Sequence, residues 1–320
     1  MSFKKIVLIG GGVLGSQIAY QSAYCGFDVT IWMRSEGSIG RTQPKLDAIH
    51  KTYIDTINVM DTPQGKSPLV WAHGIADQDS FSKEECLAKA EKAYKSINLE
   101  LSLENALKDA DLVIEAMSEN IEQKHDFYKT AAPLFDEKTV VVTNSSTLLP
   151  SMFADDTGRP EKYLALHFAN SIWKNNTAEV MVQPKTDEKY FNEVLEFARE
   201  IRMIPLPLKK EKSGYLLNSL LVPLLDSAMD LLVTGVSDPE SIDTAWKVGT
   251  GAPVGPFQIL DIVGLNTAYE IAAMSAAQPD RPIPYAYADI AKMLKEKIDK
   301  GETGVSAGKG FYEYGKKDEK

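Results

Sequence analysis

Lys5-Ile6-Val7-Leu8-Ile9-Gly10-Gly11-Gly12-Val13-Leu14-Gly15 stands near the start of the chain and decides its fold. Residues 5–9 form a short apolar run with β-branched members, the pattern of a strand buried on both faces. The glycines follow at once, and residues 16–24 continue at helical spacing. In a strand–glycine loop–helix unit each glycine has its own task. Gly10 allows the tight turn, Gly12 lets a pyrophosphate approach the backbone, and Gly15 lets the helix pack close to the strand. Val13 and Leu14 open the helix, whose free N–H groups face the phosphates. A dinucleotide site is the expectation.

Outward from this unit, strand and helix alternate to about residue 208. Strand patterns fall at residues 29–33, 111–116, 139–143, 163–166, 179–182 and 203–206. Helical patterns fall at 44–58 and 82–95, and Ser102 caps a short helix ending near Lys108. Residues 61–80, with Pro63, Gly65, Pro68 and Gly74, read as an irregular join between two helices that project from the core. Alternation of this kind gives a mostly parallel sheet covered by helices. After residue 208 helices dominate, with start signals at Ser237-Asp238-Pro239-Glu240 and Gly255-Pro256-Phe257. The expected architecture is α/β: an N-terminal Rossmann-like domain over residues 1–208, then an all-helical domain over 209–320. A short charged tail follows Gly315.

Composition excludes several classes of function. Of 320 residues, 35 are Lys or Arg and 45 are Asp or Glu, a formal charge of −10 that argues against nucleic acid or an anionic membrane as partner. The most apolar stretch, residues 214–233, is broken by Asn218, Pro223, Asp226 and Asp230, so it reads as a buried helix and not a span. Cys25 and Cys86 lack metal-ligand spacing, and no metal site is expected. The chain begins with a core strand and shows no leader, so a cytoplasmic location is expected.

The second strand ends Trp32-Met33-Arg34-Ser35. A carboxylate here takes the ribose hydroxyls of NAD; Met33 offers none. Arg34 and Ser35 can bind a 2′-phosphate through charge-assisted hydrogen bonds, so NADP is favoured over NAD. Glu36 keeps NAD open, and Arg34 is equally suited to an ordinary solvated loop.

His167 and Glu179 suggest the chemistry. An imidazole exchanging protons near neutral pH needs a partner that fixes its tautomer and steadies its charged form. His167 closes one apolar run and Glu179 opens the next, so antiparallel or neighbouring strands joined by the polar loop between them could bring the two together.

Several motifs in order resemble the L-3-hydroxyacyl-CoA dehydrogenases over nearly the whole chain. They are Gly10, Gly12 and Gly15; DLVIEAMSENIEQK at 111–124; TNSST at 143–147; LHF with Asn170 at 166–170; Glu179; SGYLLNSLLVP at 213–223; GAPVGPFQILDIVGLN at 251–266; and GKGFYEY at 308–314. The resemblance implies His167 as the acid/base, oriented by Glu179, with Ser146 and Asn218 binding the substrate oxygen and thioester region. It implies that Glu119, Lys124 and Asn144 line the nicotinamide side. For Ser146 and Asn144, turn chemistry after a strand is the plainer alternative. Arg41 and Lys45, with Lys51, would hold the phosphates of an acyl-CoA; a solvated helix face is the rival reading.

The sequence departs from the family at Met33, at His167-Phe168-Ala169-Asn170-Ser171 where HFFNP is usual, and at Ser306 where a Lys is usual. Three readings result: a short-chain 3-hydroxyacyl-CoA dehydrogenase, a dehydrogenase of a free 3-hydroxy acid or polyol acid, and a non-catalytic nicotinamide-binding protein. A homodimer through the helical domain is expected.

Overall fold

The computed structural model describes residues 3–68, 70–277 and 285–314. The charged tail after Gly315 lies outside the described residues. Contacts divide the chain into two compact units, Met1–Leu216 and Leu217–Lys320.

In the first unit the elements run β1 (Lys5–Ile9), α1 (Val13–Tyr24), β2 (Asp28–Trp32), α2 (Glu36–Met60), α3 (Lys83–Ser96), β3 (Asn98–Glu100), α4 (Leu103–Leu107) and β4 (Leu112–Glu115). They continue α5 (Ile121–Ala131), β5 (Val140–Thr143), β6 (Tyr163–Phe168), β7 (Thr177–Met181), α6 (Glu188–Glu200) and β8 (Ile204–Leu208). One eight-stranded sheet results, in the order β3-β2-β1-β4-β5-β6-β7-β8. Neighbours from β3 to β6 are parallel; β7 runs antiparallel to β6, and β8 parallel to β7. The chain crosses from one side of β1 to the other between β3 and β4. That switch opens a crevice at the carboxyl ends of the strands, where such folds bind ligands.

Alternation along the strands sorts the core. Leu164, Leu166 and Phe168 of β6 join the cluster that contains Ile18 of α1, Tyr53 of α2 and Ala90 of α3. Tyr163 and Ala165, one residue out of phase, join clusters on the opposite face. His167 shares that second face by the same period of two.

Two expectations about α2 are corrected. The helix begins two turns before Pro44, at Glu36, and carries the proline inside it. Nor do α2 and α3 project: Leu46, Ile49, Tyr53, Ile57 and Met60 are buried in the main core with Cys86, Ala90 and Ala93 of α3. The described residues of the join at 61–68 and 70–80 pack back on the same core through Trp71 and Ile75, and Gly74 N–H donates to the Trp173 carbonyl at 2.9 Å. A Cβ on Gly74 would sit 2.8 Å from the Trp173 backbone, so glycine is required for that approach. Three further elements have no expected counterpart in the sequence pattern: the strand Asn98–Glu100 and the helices Ile121–Ala131 and Glu188–Glu200.

The second unit is helical: α7 (Leu217–Val233), α8 (Pro239–Thr250), α9 (Pro256–Val263), α10 (Leu265–Ala276) and α11 (Tyr287–Asp299). Leu225, Met229, Phe257, Leu260, Ala272, Ile290 and Leu294 form its core. Two buried carboxylates organise its loops. Asp243 accepts from Phe257 and Gln258 N–H at the start of α9 and from Tyr312 Oη. Asp261 accepts from Phe311 and Tyr312 N–H and from Tyr314 Oη. A Cβ on Gly255 would lie 2.3 Å from Asp243 Cγ, and one on Gly310 would lie 2.0 Å from Asp261 Oδ1. The glycines of both C-terminal motifs therefore make room for a carboxylate that satisfies buried backbone N–H groups.

Candidate active site

Register brings the proton-handling pair together. His167 of β6 and Glu179 of β7 are direct partners in the antiparallel ladder, so their side chains leave the sheet side by side on one face. His167 Nδ1 lies 2.9 Å from Glu179 Oε2, and both residues are buried. A carboxylate can only accept, so Nδ1 carries a proton and Nε2 is the nitrogen left to exchange one. Ser146, beyond the end of β5, places Oγ 3.2 Å from Nε2. The other carboxylate oxygen of Glu179 accepts from Leu216 N–H at 2.8 Å.

Tyr215 was missed as a site residue in the sequence. Its ring lies flat on the His167 imidazole, centroids 4.4 Å apart and planes 14° apart. Its hydroxyl donates to the Ser145 carbonyl at 2.7 Å. Its backbone φ is +51°, unusual for a tyrosine. Burial, then the nearby Glu119 and Glu179 charges, hold its phenol well above the usual range, so it stays neutral and a donor. The available signal was an aromatic residue between Gly214 and Leu216 in the quoted 213–223 motif.

Behind the pair lies a buried polar network. Lys124 was expected on the cofactor side. It is fully buried, with Nζ at 2.6 and 2.7 Å from the two oxygens of Glu115, and lies 4.0 Å from Glu119. Glu115 also accepts from Tyr128 Oη, Thr143 Oγ1 and Met117 N–H. Glu119 accepts from Ser145 Oγ and from Ser146 N–H at 2.6 Å. Asn144 Oδ1 accepts from Phe168 N–H. These contacts fix the β5 turn that carries Ser146 against the end of β6 that carries His167.

The departure at Ser171 has a structural reason. Its φ is +58°, and its N–H donates to Gln17 Oε1 of α1 at 2.8 Å. Proline has neither that φ nor an N–H. Gln17, a buried polar residue on an apolar helix, was a second missed signal.

A cavity of about 570 Å³ opens at the carboxyl ends of β1, β2 and β4, lined by Gly10, Gly11, Trp32, Met33, Arg34 and Ser38 among others. Gly10 has φ +107°, a Cβ on Gly15 would sit 2.2 Å from the Gly10 carbonyl, and a Cβ on Gly12 would meet nothing. A turn closed by two glycines with open space above the third fits a pyrophosphate lying on the backbone. Val13 is exposed and Leu14 half-buried at the head of α1. Arg34 and Ser35 are exposed beside this cavity. Asn218 is half-buried near the start of α7, in the second unit.

Comparisons with known proteins agree with this geometry. Residues 5–211 match the family model for the NAD binding domain of 3-hydroxyacyl-CoA dehydrogenase, and residues 214–314 match its C-terminal domain. The chain belongs to the 3-hydroxyacyl-CoA dehydrogenase family. It is accordingly a nicotinamide-dependent oxidoreductase with an N-terminal dinucleotide-binding domain and a helical C-terminal domain. It is 30% identical over 98% of its length to all of the 3-hydroxybutyryl-CoA dehydrogenase of Clostridioides difficile. It is 27% identical over 97% of its length to 91% of the human mitochondrial hydroxyacyl-coenzyme A dehydrogenase. A solved diketoreductase, described by its dual catalysis of dicarbonyl compounds, matches at 45% identity. That match covers 98% of this chain and all of that one, with a TM-score of 0.83. Among the described residues no helix is long and apolar enough to cross a membrane.

The cations expected to hold CoA are also placed. Lys51 pairs with Asp55. Lys45 Nζ donates to the Arg41 carbonyl one turn before it, and Arg41 Nη2 donates to Ser38 Oγ. Burial pushes the Cys25 thiol up to about 12, which disfavours the thiolate that a nucleophile needs.

Proposed function

We propose that the protein interconverts (S)-3-hydroxyacyl-CoA and 3-oxoacyl-CoA, of short chain such as 3-hydroxybutyryl-CoA, with a nicotinamide dinucleotide. The observation that carries the reading is the His167–Glu179 pair with Ser146 on the free imidazole nitrogen. When bound, the cofactor accepts or delivers the hydride at the carbon bearing the oxygen.

In oxidation, His167 Nε2 takes the proton of the 3-hydroxyl, and the imidazolium formed is steadied by Glu179 across the Nδ1–H bond. In reduction the same nitrogen returns the proton to the developing alkoxide. General acid–base help of this kind supplies roughly 10²–10⁴-fold in rate. Ser146 Oγ stands beside Nε2, so a carbonyl oxygen placed there receives a hydrogen bond from serine as well as a proton from histidine. Tyr215, flat against the ring, keeps Nε2 aimed along one line. For Asn218 as a second oxygen ligand, the support is the family motif.

Gly10, Gly12, Val13, Leu14 and Gly15 would hold the pyrophosphate, and Glu119 and Asn144 the nicotinamide side; Lys124 acts through Glu115 and Glu119. NADP comes before NAD because Met33 replaces the ribose-binding acid and Arg34 and Ser35 follow it. Lys45 is the first choice for the CoA phosphates, since the Arg41 guanidinium is turned onto Ser38 Oγ. A homodimer through the helical unit is supported by the exposure of Leu220, Val248, Ile262 and Met274; a light-scattering mass of one chain would remove it.

A second reading, a free 3-hydroxy or dicarbonyl compound without CoA, is favoured by the 45% identity to the diketoreductase. A non-catalytic binder has no use for a tautomer-fixed imidazole. Loss of reduced-cofactor absorbance with acetoacetyl-CoA and with free acetoacetate separates the readings. Turnover of the thioester, with a Michaelis constant that rises with salt, supports CoA; turnover of the free compound alone rejects it.

A further inference from the structure

Arg41 is better placed for the cofactor than for CoA. We propose that Ser38 and Arg41 complete, with Arg34 and Ser35, a binding subsite for the 2′-phosphate of NADP. The inference rests on the NADP reading above and deepens it by naming the residues that grip the phosphate.

Ser35, Ser38 and Arg41 are spaced by three, so successive members are neighbours on the helix surface. Ser35 Oγ lies 3.1 Å from Ser38 Oγ, and Arg41 Nη2 donates to Ser38 Oγ at 3.0 Å. The guanidinium thus folds back toward the first turn of α2 and away from Lys45. Ser35 sits at the N-cap, yet its side chain caps nothing; it bonds the Ser38 hydroxyl instead, and each hydroxyl keeps capacity for a ligand oxygen.

Position ties this row to the cofactor cavity. Thr42, next to Arg41, donates through Oγ1 to the Gly11 carbonyl at 3.1 Å, which pins this turn of α2 against the phosphate-binding glycines. Arg34 and Ser38 line the same cavity as Gly10 and Gly11. Among the described residues neither Arg34 nor Arg41 has a carboxylate within ion-pairing distance, whereas Lys51, farther along α2, is neutralised by Asp55. Two unpaired guanidinium groups and two hydroxyls beside a cavity that lacks the ribose-binding acid offer donors to a dianion and no carboxylate acceptor to a 2′-hydroxyl. Glu36 is the one nearby acid on α2; it lies about 100° around the helix from Ser35.

Binding of 2′,5′-ADP and of 5′-AMP, measured by calorimetry on the intact protein, tests this without turnover. The wild type should prefer 2′,5′-ADP. Arg41→Ala should cut that preference by about tenfold, the worth of one charge-assisted hydrogen bond, and leave 5′-AMP binding unchanged. Arg41→Lys should restore part of it, because charge returns without the planar fork. The Michaelis constant for acetoacetyl-CoA should not move. A preference that survives Arg41→Ala while Arg34→Ala abolishes it would overturn this assignment and leave the NADP reading standing. A wild type that binds both nucleotides alike would overturn the NADP reading and this subsite together. A raised acetoacetyl-CoA constant in Arg41→Ala, with nucleotide preference intact, would return Arg41 to the CoA phosphates.

Discussion

The end of the sheet around β5, β6 and β7 and the first turns of α2 face different physical problems. At the sheet end register sets His167 opposite Glu179, Lys124 of α5 is buried on Glu115, and Glu119 at the rim accepts from the Ser146 N–H. At α2, exposed arginines and serines are joined by single hydrogen bonds and surrounded by solvent. In the first region, buried groups joined by several hydrogen bonds favour one geometry, as acid–base chemistry requires. The second can rearrange around whichever nucleotide arrives. Substitutions in the first should cost stability or turnover, and in the second only selectivity.

Lys124→Met tests the rigid side most severely. It leaves the Glu115 carboxylate buried with its cation gone, a loss of about 3–5 kcal/mol, to be read as a fall in the unfolding midpoint in denaturant. Adding Glu115→Gln should recover part of it; a single variant as stable as the wild type would show that the pair is not what holds β4 to α5.

Tyr215→Ala removes the stacked ring and the bond to Ser145. A stacked aromatic contact is worth about 0.5–1.5 kcal/mol, so turnover should fall up to roughly tenfold, with cofactor affinity unchanged. Tyr215→Phe keeps the ring and should keep most of the turnover. Equal turnover in both variants would show that the stacked ring does not position His167.

The smallest effect is expected at β2. Met33→Asp with Arg34→Ala should move the ratio of NADP to NAD efficiency toward NAD by about tenfold, and Arg34→Ala alone, at an exposed side chain, should leave the unfolding midpoint unchanged. An unchanged ratio would mean that this loop does not read the 2′-phosphate and would erase the contrast between the regions.

How legible each region was in the sequence follows from the same contrast. Strand β1, the glycine turn and α1 could be read because burial on two faces leaves a continuous apolar run, and a phosphate turn restricts residue type. The His167–Glu179 pair could be suspected, but their direct opposition depends on antiparallel register between strands, which no local pattern fixes. The start of α2 was misplaced at Pro44 because proline is favoured at the first helical position; Ser35 as N-cap and the buried Tyr53 and Ile57 prevail. Lys124 was placed on the cofactor side by the family resemblance; its full burial was not legible because a lysine is seldom fully buried, and only the placement of Glu115 explains it. Tyr215 owes its role to a positive φ and a ring stacked across the sheet face, neither of which has a local signature. The strand missed at 98–100 is short and the helix at 121–131 is rich in charge, so their apolar periodicity is faint; the helix at 188–200 buries Val194, Leu195, Phe197 and Ala198 on one face, a pattern that was legible and not taken up.

His167 as the proton carrier is the centre of the proposed chemistry. The direct measurement is the oxidation of reduced nicotinamide cofactor by acetoacetyl-CoA and by free acetoacetate, in the wild type and in His167→Gln, with cofactor affinity determined for both. Turnover lower by ~10²–10⁴ in the variant, at unchanged cofactor affinity, is the result predicted. Near-normal turnover in His167→Gln would contradict it and remove the His167–Glu179 pair from the reaction.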